Sequence, residues 1–369
     1  MTQAPLLFVS ATALAAACLA IVLLSRWAPR IGLVDHPGGR KRHHAVVPLV
    51  GGIAVYLGVI AGQLWSEGIG PLGRTYQVAC GAMLLVGVAD DRHDITPSSR
   101  LALQATIVAA FILYTRQSVT DLGDLIGLGT IHLGWASLPF TIVAMVALIN
   151  AFNMLDGVDG LAGGVGLLAF AAVLILALLM DQPELAKVAA AFVGALVGFL
   201  LFNAPVKHVR RRLVFMGDAG STLLGFAFAS CALFLVSNSR GDLPPPVILW
   251  VVAIPIFELF SSTFRRAVKG LSPMAADLGH YHHKLIQAGW PVSAVFAFYF
   301  LYSALSAGIG LGLHATQASD VVIFLAFVAW FLLWSLFILM LPGERRRQEA
   351  RRADAASEGA QKGPGIPQE

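Results

Sequence analysis

The sequence predicts an all-α fold: a polytopic membrane helical bundle of about eleven transmembrane helices. They form one domain over residues 1–342, followed by a basic tail over 343–369. Three observations predict it. The chain is 57% hydrophobic, with a mean hydropathy of +0.76 and only 12% charged residues, against about 25% in soluble domains. Its apolar residues gather into eleven runs that approach the ~20 residues a helix needs to cross a bilayer. Its cations are unevenly distributed along the chain, as the loops of a membrane protein require.

The first run, 4–24, contains "LAAAC" at 14–18, which is similar to a lipoprotein cleavage site. No Lys or Arg precedes it, so the run is expected to stay as the first membrane helix. Runs follow at 47–65 and 76–89, the second shading into an acidic stretch. The rest lie at 101–115, 137–152, 161–180, 185–203, 219–238, 246–263, 292–312 and 320–342. The intervening segments alternate between two sides. Segments 25–46, 90–100, 153–160, 204–218, 264–291 and the tail share one side and hold 21 of the 25 Lys and Arg residues. Arg74, Arg116, Lys187 and Arg240 belong to the other. The positive-inside rule makes the first side cytoplasmic, with the N-terminus outside and the C-terminus inside. Cys18, Cys80 and Cys231 all fall in apolar runs, which argues against a disulfide framework. The tail is polar and basic at its start, and is expected to be disordered near anionic lipid.

Each unusual polar cluster falls on the cytoplasmic side, where a soluble, charged substrate is available. "DHPGGRKRHHAVVPLVGG" (35–52) carries Arg40, Lys41, Arg42, His43 and His44. It reads either as a juxtamembrane anchor for lipid headgroups or as a phosphate clamp. "GVADDRHDITPSSR" (87–100) brings Asp90, Asp91 and Asp94 together at a helix end. Adjacent carboxylates repel unless a cation compensates, so the cluster is either a solvated helix end or a set of ligands for Mg²⁺ or a basic group. "NAFNMLDGVDGLAGG" (150–164) spaces Asn150, Asn153, Asp156 and Asp159 three apart. Helix capping accounts for one such residue; four hard oxygen donors suit Mg²⁺ or a nucleotide better. "VFMGDAGSTLLGF" (214–226) sets Asp218 before a membrane helix, as an N-cap or as a second hard ligand. "FRRAVKGLSPMAADLGHYHHKL" (264–285) contains His280, His282 and His283 among cations. The histidine spacing fits no common Zn²⁺ pattern, leaving a solvated loop or contacts to phosphate.

Together, "RKRHHAVVPLVGG", "DDRHD", "NAFNMLDGVDGLAGG", "FMGDAGS" and "HYHH" resemble the polyprenyl-phosphate N-acetylhexosamine-1-phosphate transferases. They occur in that family's order, cover residues 35–285, and sit in the eleven-helix layout of the family. The likeness is nearest to its bacterial branch, which acts on UDP-N-acetylglucosamine and undecaprenyl phosphate. The resemblance implies that Asn153 and Asp218 are Mg²⁺ ligands, with Mn²⁺ as a substitute. It implies catalytic roles for Asp90, Asp91 and Asp156, with Asp90 and Asp91 near the lipid phosphate. It further implies that Asp159, Phe215, His280, His282 and His283 engage the nucleotide sugar, Phe215 by stacking on uracil. Arg40 and Lys41 belong to the implied phosphate clamp. Tyr281 departs from the Ile or Val common in relatives, which should alter packing more than chemistry.

The reaction so implied is phosphosugar transfer that releases UMP and starts a lipid-linked glycan in the bacterial inner membrane. The implied partners are a UDP-sugar, undecaprenyl phosphate and the bilayer, with no nucleic acid; a homodimer is compatible with the sequence. Two rivals share features. The enzyme that transfers phospho-N-acetylmuramoyl-pentapeptide has the same aspartate motifs. Transporters also carry intramembrane carboxylates, but they bind cargo near the midplane, whereas these motifs gather at one rim.

Overall fold

A computed structural model describes residues 4–36, 46–64, 71–205, 214–239, 241–268, 270 and 280–341. All eleven apolar runs are helical. In order they form α1 (Ala4–Ile31), α2 (Gly51–Leu64), α3 (Pro71–His93), α4 (Pro97–Thr115), α5 (Ser137–Leu155), α6 (Leu161–Leu179), α7 (Pro183–Asn203) and α8 (Gly217–Asn238). A broken pair, α9 (Pro245–Val251) and α10 (Ala253–Val268), follows. A short α11 (Tyr281–Gln287) precedes α12 (Val292–Ala315) and α13 (Asp320–Met340). A two-stranded antiparallel ribbon, β1 (Val34–Asp35) with β2 (Val47–Pro48), joins the ends of the first loop. Among the described residues, eight helices are long and apolar enough to cross a membrane, or nine if α9 and α10 count as one bent span. The tail expected from 343 lies outside the described residues.

The element limits have local causes. Pro97 and Pro183 open α4 and α7 in the first turn, where the missing N–H costs nothing. Thr96 and Ser319 accept the N–H groups of Ser99 and Val322 at the starts of α4 and α13, the usual service of a hydroxyl cap. The 86° break between α9 and α10 falls just ahead of Pro255, whose ring nitrogen has no hydrogen for the Val251 carbonyl. Several helices exceed their apolar runs, α1 and α3 by the most. α1 continues past residue 24 to Ile31, where the Arg30 guanidinium lies 4.7 Å from the Trp27 ring. α3 carries Asp90 and Asp91 in its final turns. Hydropathy falls at the bilayer edge, but the backbone hydrogen bonding of a helix does not.

At the centre stands α8, almost wholly buried and packed against α2, α3, α5 and α6. A bilayer offers little hydrophobic drive for one apolar helix to leave lipid for another, so close van der Waals packing must supply it. Glycines permit that closeness. A Cβ on Gly52 would overlap Gly220 Cα, and one on Gly87 would overlap Ala219 Cα. One on Gly225 would come within 2.5 Å of Ile149 Cα. The C-terminal helices pack differently, through rings: Phe298 stacks on Trp334 at 5.5 Å and Tyr302 on Trp330 at 4.9 Å.

The ends of α3, α5 and α7 and the starts of α4, α6, α8 and α11 converge at one end of the bundle. At the opposite end, the turns after α6, α8 and α12 surround a cavity of about 830 Å³ lined by Asp181, Gln182, Asn238, Asp242, His314 and Gln317. That cavity holds none of the motif residues.

Candidate active site

The site is assembled around the start of α8. Gly217 takes φ +72°, and a Cβ there would lie 2.7 Å from Asp91 Oδ2. Glycine is therefore required twice over, for its backbone and for its lack of a side chain. Asp91 Oδ1 accepts from the Asp218 N–H at 2.8 Å and Oδ2 from the Ala219 N–H at 3.0 Å. These are N–H groups that an α-helix leaves unpaired at its first turn. Asp91 thus latches α3 onto α8, with its negative charge at the positive end of the helix dipole.

One residue earlier, Asp90 is buried and ion-paired to Arg100 Nη1 at 2.6 Å, while its Oδ1 accepts from the Ile95 N–H at 2.9 Å. Both partners belong to the turn and first helical residues that follow α3, so the acidic helix end folds back on itself. The Asp90 and Asp218 carboxylates lie close enough to interact electrostatically. Asn153, in the last turn of α5, donates through Nδ2 to Asp218 Oδ1 and to Ser221 Oγ, the latter at 3.0 Å.

The turn after α5 carries Asp156 and Asp159. Burial, then the Asp218, Asp91 and Asp159 carboxylates, hold Asp156 well above the usual carboxylate range, against the opposing pull of a hydrogen bond from the Gly217 backbone. Five carboxylates, those of Asp90, Asp91, Asp156, Asp159 and Asp218, thus crowd one end of the bundle. Asn150, by contrast, turns away: its Nδ2 donates to Gln104 Oε1 at 2.8 Å and to the Val146 carbonyl. It ties α5 to α4.

Two loops frame the cluster. The Phe215 N–H donates to the Pro48 carbonyl at 2.9 Å, and the Gly51 and Gly52 N–H groups donate to the Phe215 and Met216 carbonyls at 3.0 and 3.1 Å. The basic first loop is therefore stitched at its exit to the segment that leads into α8, with the Phe215 ring partly exposed beside it. Arg40 and Lys41 lie outside the described residues. On the other flank, His282 is fully buried, and its Nε2 would lie 2.9 Å from a Cβ on Gly157. His280 and His283 keep partial exposure, and the His283 ring is 4.3 Å from that of His282. The third motif and the histidine motif thus meet at Gly157.

Three residues that sequence reasoning left unassigned complete the frame. Arg100 neutralises Asp90. Asn203 accepts from the Gly160 N–H at 2.6 Å and donates to the Val214 carbonyl at 2.8 Å, pinning two site loops together. Glu258, fully buried, accepts from Tyr299 Oη at 2.6 Å and from the backbone N–H groups of Tyr281 and His282 at 3.1 and 3.3 Å. Glu258 is the single acid in the apolar run 246–263, and that oddity was its available signal.

Residues 75–236 match the model of glycosyl transferase family 4. The chain is 34% identical over 291 residues to the undecaprenyl-phosphate alpha-N-acetylglucosaminyl 1-phosphate transferase of Salmonella typhi, covering 79% of each chain. It is 37% identical over 310 residues to the protein of that name from Yersinia pestis, covering 84% of this chain and 85% of that one. The protein of that name from Haemophilus influenzae is 34% identical over 318 residues, 86% of this chain and 90% of its own.

Proposed function

This chain belongs to glycosyl transferase family 4, and on that premise we propose that it transfers N-acetylglucosamine-1-phosphate from UDP-N-acetylglucosamine to undecaprenyl phosphate, releasing UMP. The relatives' shared name supports the substrate pair. The observation that carries the reading is the assembly of the "DDRHD", "NAFNMLDGVDG", "FMGDAG" and "HYHH" segments around the start of one buried helix.

The fold suits a substrate that lives in lipid. We read the chain as crossing the bacterial inner membrane eleven times, counting α2, α3 and the bent α9–α10 pair as spans. The N-terminus is then outside and the C-terminus cytoplasmic. The excess of Lys and Arg on the motif side supports that orientation. The isoprenoid tail stays in the bilayer while its phosphate meets the aspartate cluster at the cytoplasmic rim.

A divalent cation fits this cluster. Its donors are the hard carboxylate and amide oxygens that Mg²⁺ prefers, and burial together with the neighbouring carboxylates already penalises negative charge on Asp156. Asn153 and Asp218 would hold the ion. Among the described residues no three His, Cys, Asp or Glu side chains form a ready cage, so phosphate oxygens and water would complete the shell, as is usual for Mg²⁺. When bound, the ion supplies charge neutralisation between two anionic phosphates.

The chain's own residues supply order. The lipid phosphate has a second pKa of about 6, so near neutral pH its attacking oxygen needs no proton removed. That oxygen forms a bond to the β-phosphorus of the UDP-sugar. The bond from that phosphorus to the oxygen bridging toward the α-phosphate breaks, and UMP leaves with the electron pair. Asp90, fixed by Arg100, stands beside Asp218 to orient the lipid headgroup. Asp91 spends both oxygens on backbone N–H groups, which supports an orienting role over a nucleophilic one. Asp156 and Asp159 would serve the nucleotide between Phe215 on one flank and His280 and His283 on the other, with the buried His282 packed behind the Gly157 turn.

The test is UMP release by purified protein given UDP-N-acetylglucosamine, undecaprenyl phosphate and Mg²⁺. UMP should appear only when both substrates are present, and chelation should stop it. Release without the lipid acceptor, or transfer from other UDP-sugars at equal rates, would overturn the assignment.

A further inference from the structure

We propose that Glu258 is a positioning residue for the histidine motif: from within the bundle it seats α11 and so sets His280 and His283 at the rim of the aspartate cluster. The proposal deepens the transferase reading above and rests on it.

Glu258 has no exposed surface. A carboxylate inside an apolar bundle is costly unless donors surround it, and here they do. Tyr299 Oη on α12 donates at 2.6 Å. The N–H groups of Tyr281 and His282, the first two residues of α11, donate at 3.1 and 3.3 Å. His280 Nδ1 and His282 Nδ1 each lie 3.6 Å from a carboxylate oxygen. The carboxylate therefore touches α11 at its start and α12 near its own first turns, while hanging from α10.

The geometry gives this arrangement a purpose. α11 is only seven residues long, and its N-cap residue His280 makes no side-chain capping bond. A helix that short is marginal alone, and its first N–H groups need an acceptor. Glu258 provides one from another helix, doing from a distance what a cap does locally. The rings of His280 and His282 lie parallel, with centroids 5.5 Å apart, and both present Nδ1 to the same carboxylate. His282 then abuts Gly157, the turn that carries Asp156 and Asp159. A shift of α11 would move His280 and His283 relative to those aspartates without disturbing Asp90 or Arg100, which lie on α3 and α4.

The inference predicts a split between substrates. In the full-length protein, Glu258→Gln keeps the shape but replaces one acceptor oxygen with a donor. It should raise KM for UDP-N-acetylglucosamine about tenfold while leaving KM for undecaprenyl phosphate within about twofold. Tyr299→Phe, which keeps the charge and loses one donor, should raise the same KM about threefold, and should add little on top of Glu258→Gln because both act through one carboxylate. Unchanged nucleotide-sugar KM in both variants, or a fall in kcat with both KM values unchanged, would overturn the proposal in favour of a merely structural role. Should Glu258→Gln fail to accumulate in the membrane, Tyr299→Phe alone decides by the same criterion. The wild-type protein is assayed alongside: if it releases no UMP from the two substrates, the transferase reading falls, whereas a working wild type with unshifted variants sinks only the role of Glu258.

Discussion

Both ends of the bundle carry acidic residues, and they use them in opposite ways. At the far end, Asp124 sits in an exposed loop, where it accepts from the Gly127 and Gly129 N–H groups at 2.7 and 3.2 Å. Asp320 accepts from the Asp124 N–H at 2.9 Å. Asp124 closes its own turn, Asp320 ties that loop to the start of α13, and both stay near water. At the site end the carboxylates are drawn inward and held across helices: Asp90 by Arg100, Asp91 by the start of α8, Asp218 by Asn153. Acids that stay near water are screened and hold little repulsion to release. Sequestered acids facing one another store repulsion that a cation or a substrate can relieve. The difference between a decorated loop and a site lies in what surrounds the charge.

That contrast can be broken by substitution. The largest effect is expected for Asp218→Asn, which should cut UMP release by at least about 100-fold while leaving the protein folded and inserted. Near-normal turnover would remove Asp218 from the reacting centre. Next comes the packing that holds the site end together. Gly87→Ala places a methyl group 2.3 Å from Ala219 Cα, and should cost about 1–3 kcal/mol, read as a lowered midpoint in detergent melting. A midpoint equal to that of the unaltered protein would show that α3 can stand off from α8.

A smaller effect concerns protons. The folded chain holds Asp156 above the usual carboxylate range, so it binds more protons there than the unfolded chain does. Stability of the substrate-free, metal-free protein should therefore fall as pH rises from the ordinary carboxylate range through the raised value. Asp156→Asn should flatten that slope and raise the melting midpoint at pH 8; an unaltered slope would argue that Asp156 is relaxed. The smallest effect belongs to the far end. Arg74→Ala, at the start of α3, should leave activity within about threefold, since surface charges contribute little. A severe loss would mean that the far end takes part in the reaction.

Much of this contrast was legible in the chain. Long apolar runs mark helices because a bilayer admits few alternatives, and all eleven runs became helical. The motifs drew notice because polar residues are expensive in such company. What escaped were partners at long range. Arg100 was visible as the last residue of its motif, but nothing in its neighbours says that it folds back onto Asp90. Asn203 ends an apolar run and looks like a boundary residue. The short α11 has no long periodic pattern, because tertiary contact with Glu258 rather than its own sequence sets its start. Asn150 shares the spacing of Asn153 and Asp156 yet points to Gln104, since three-residue spacing drifts around a helix of 3.6 residues per turn.

The side-chain amide of Asn203 joins the backbone at Gly160 to that at Val214. Two stretches that look independent on paper are therefore mechanically one part. Anyone exchanging segments between this protein and a cousin to redirect its sugar preference would have to move both stretches and their shared rivet as a set. A graft of either one alone would arrive with nothing to fasten it.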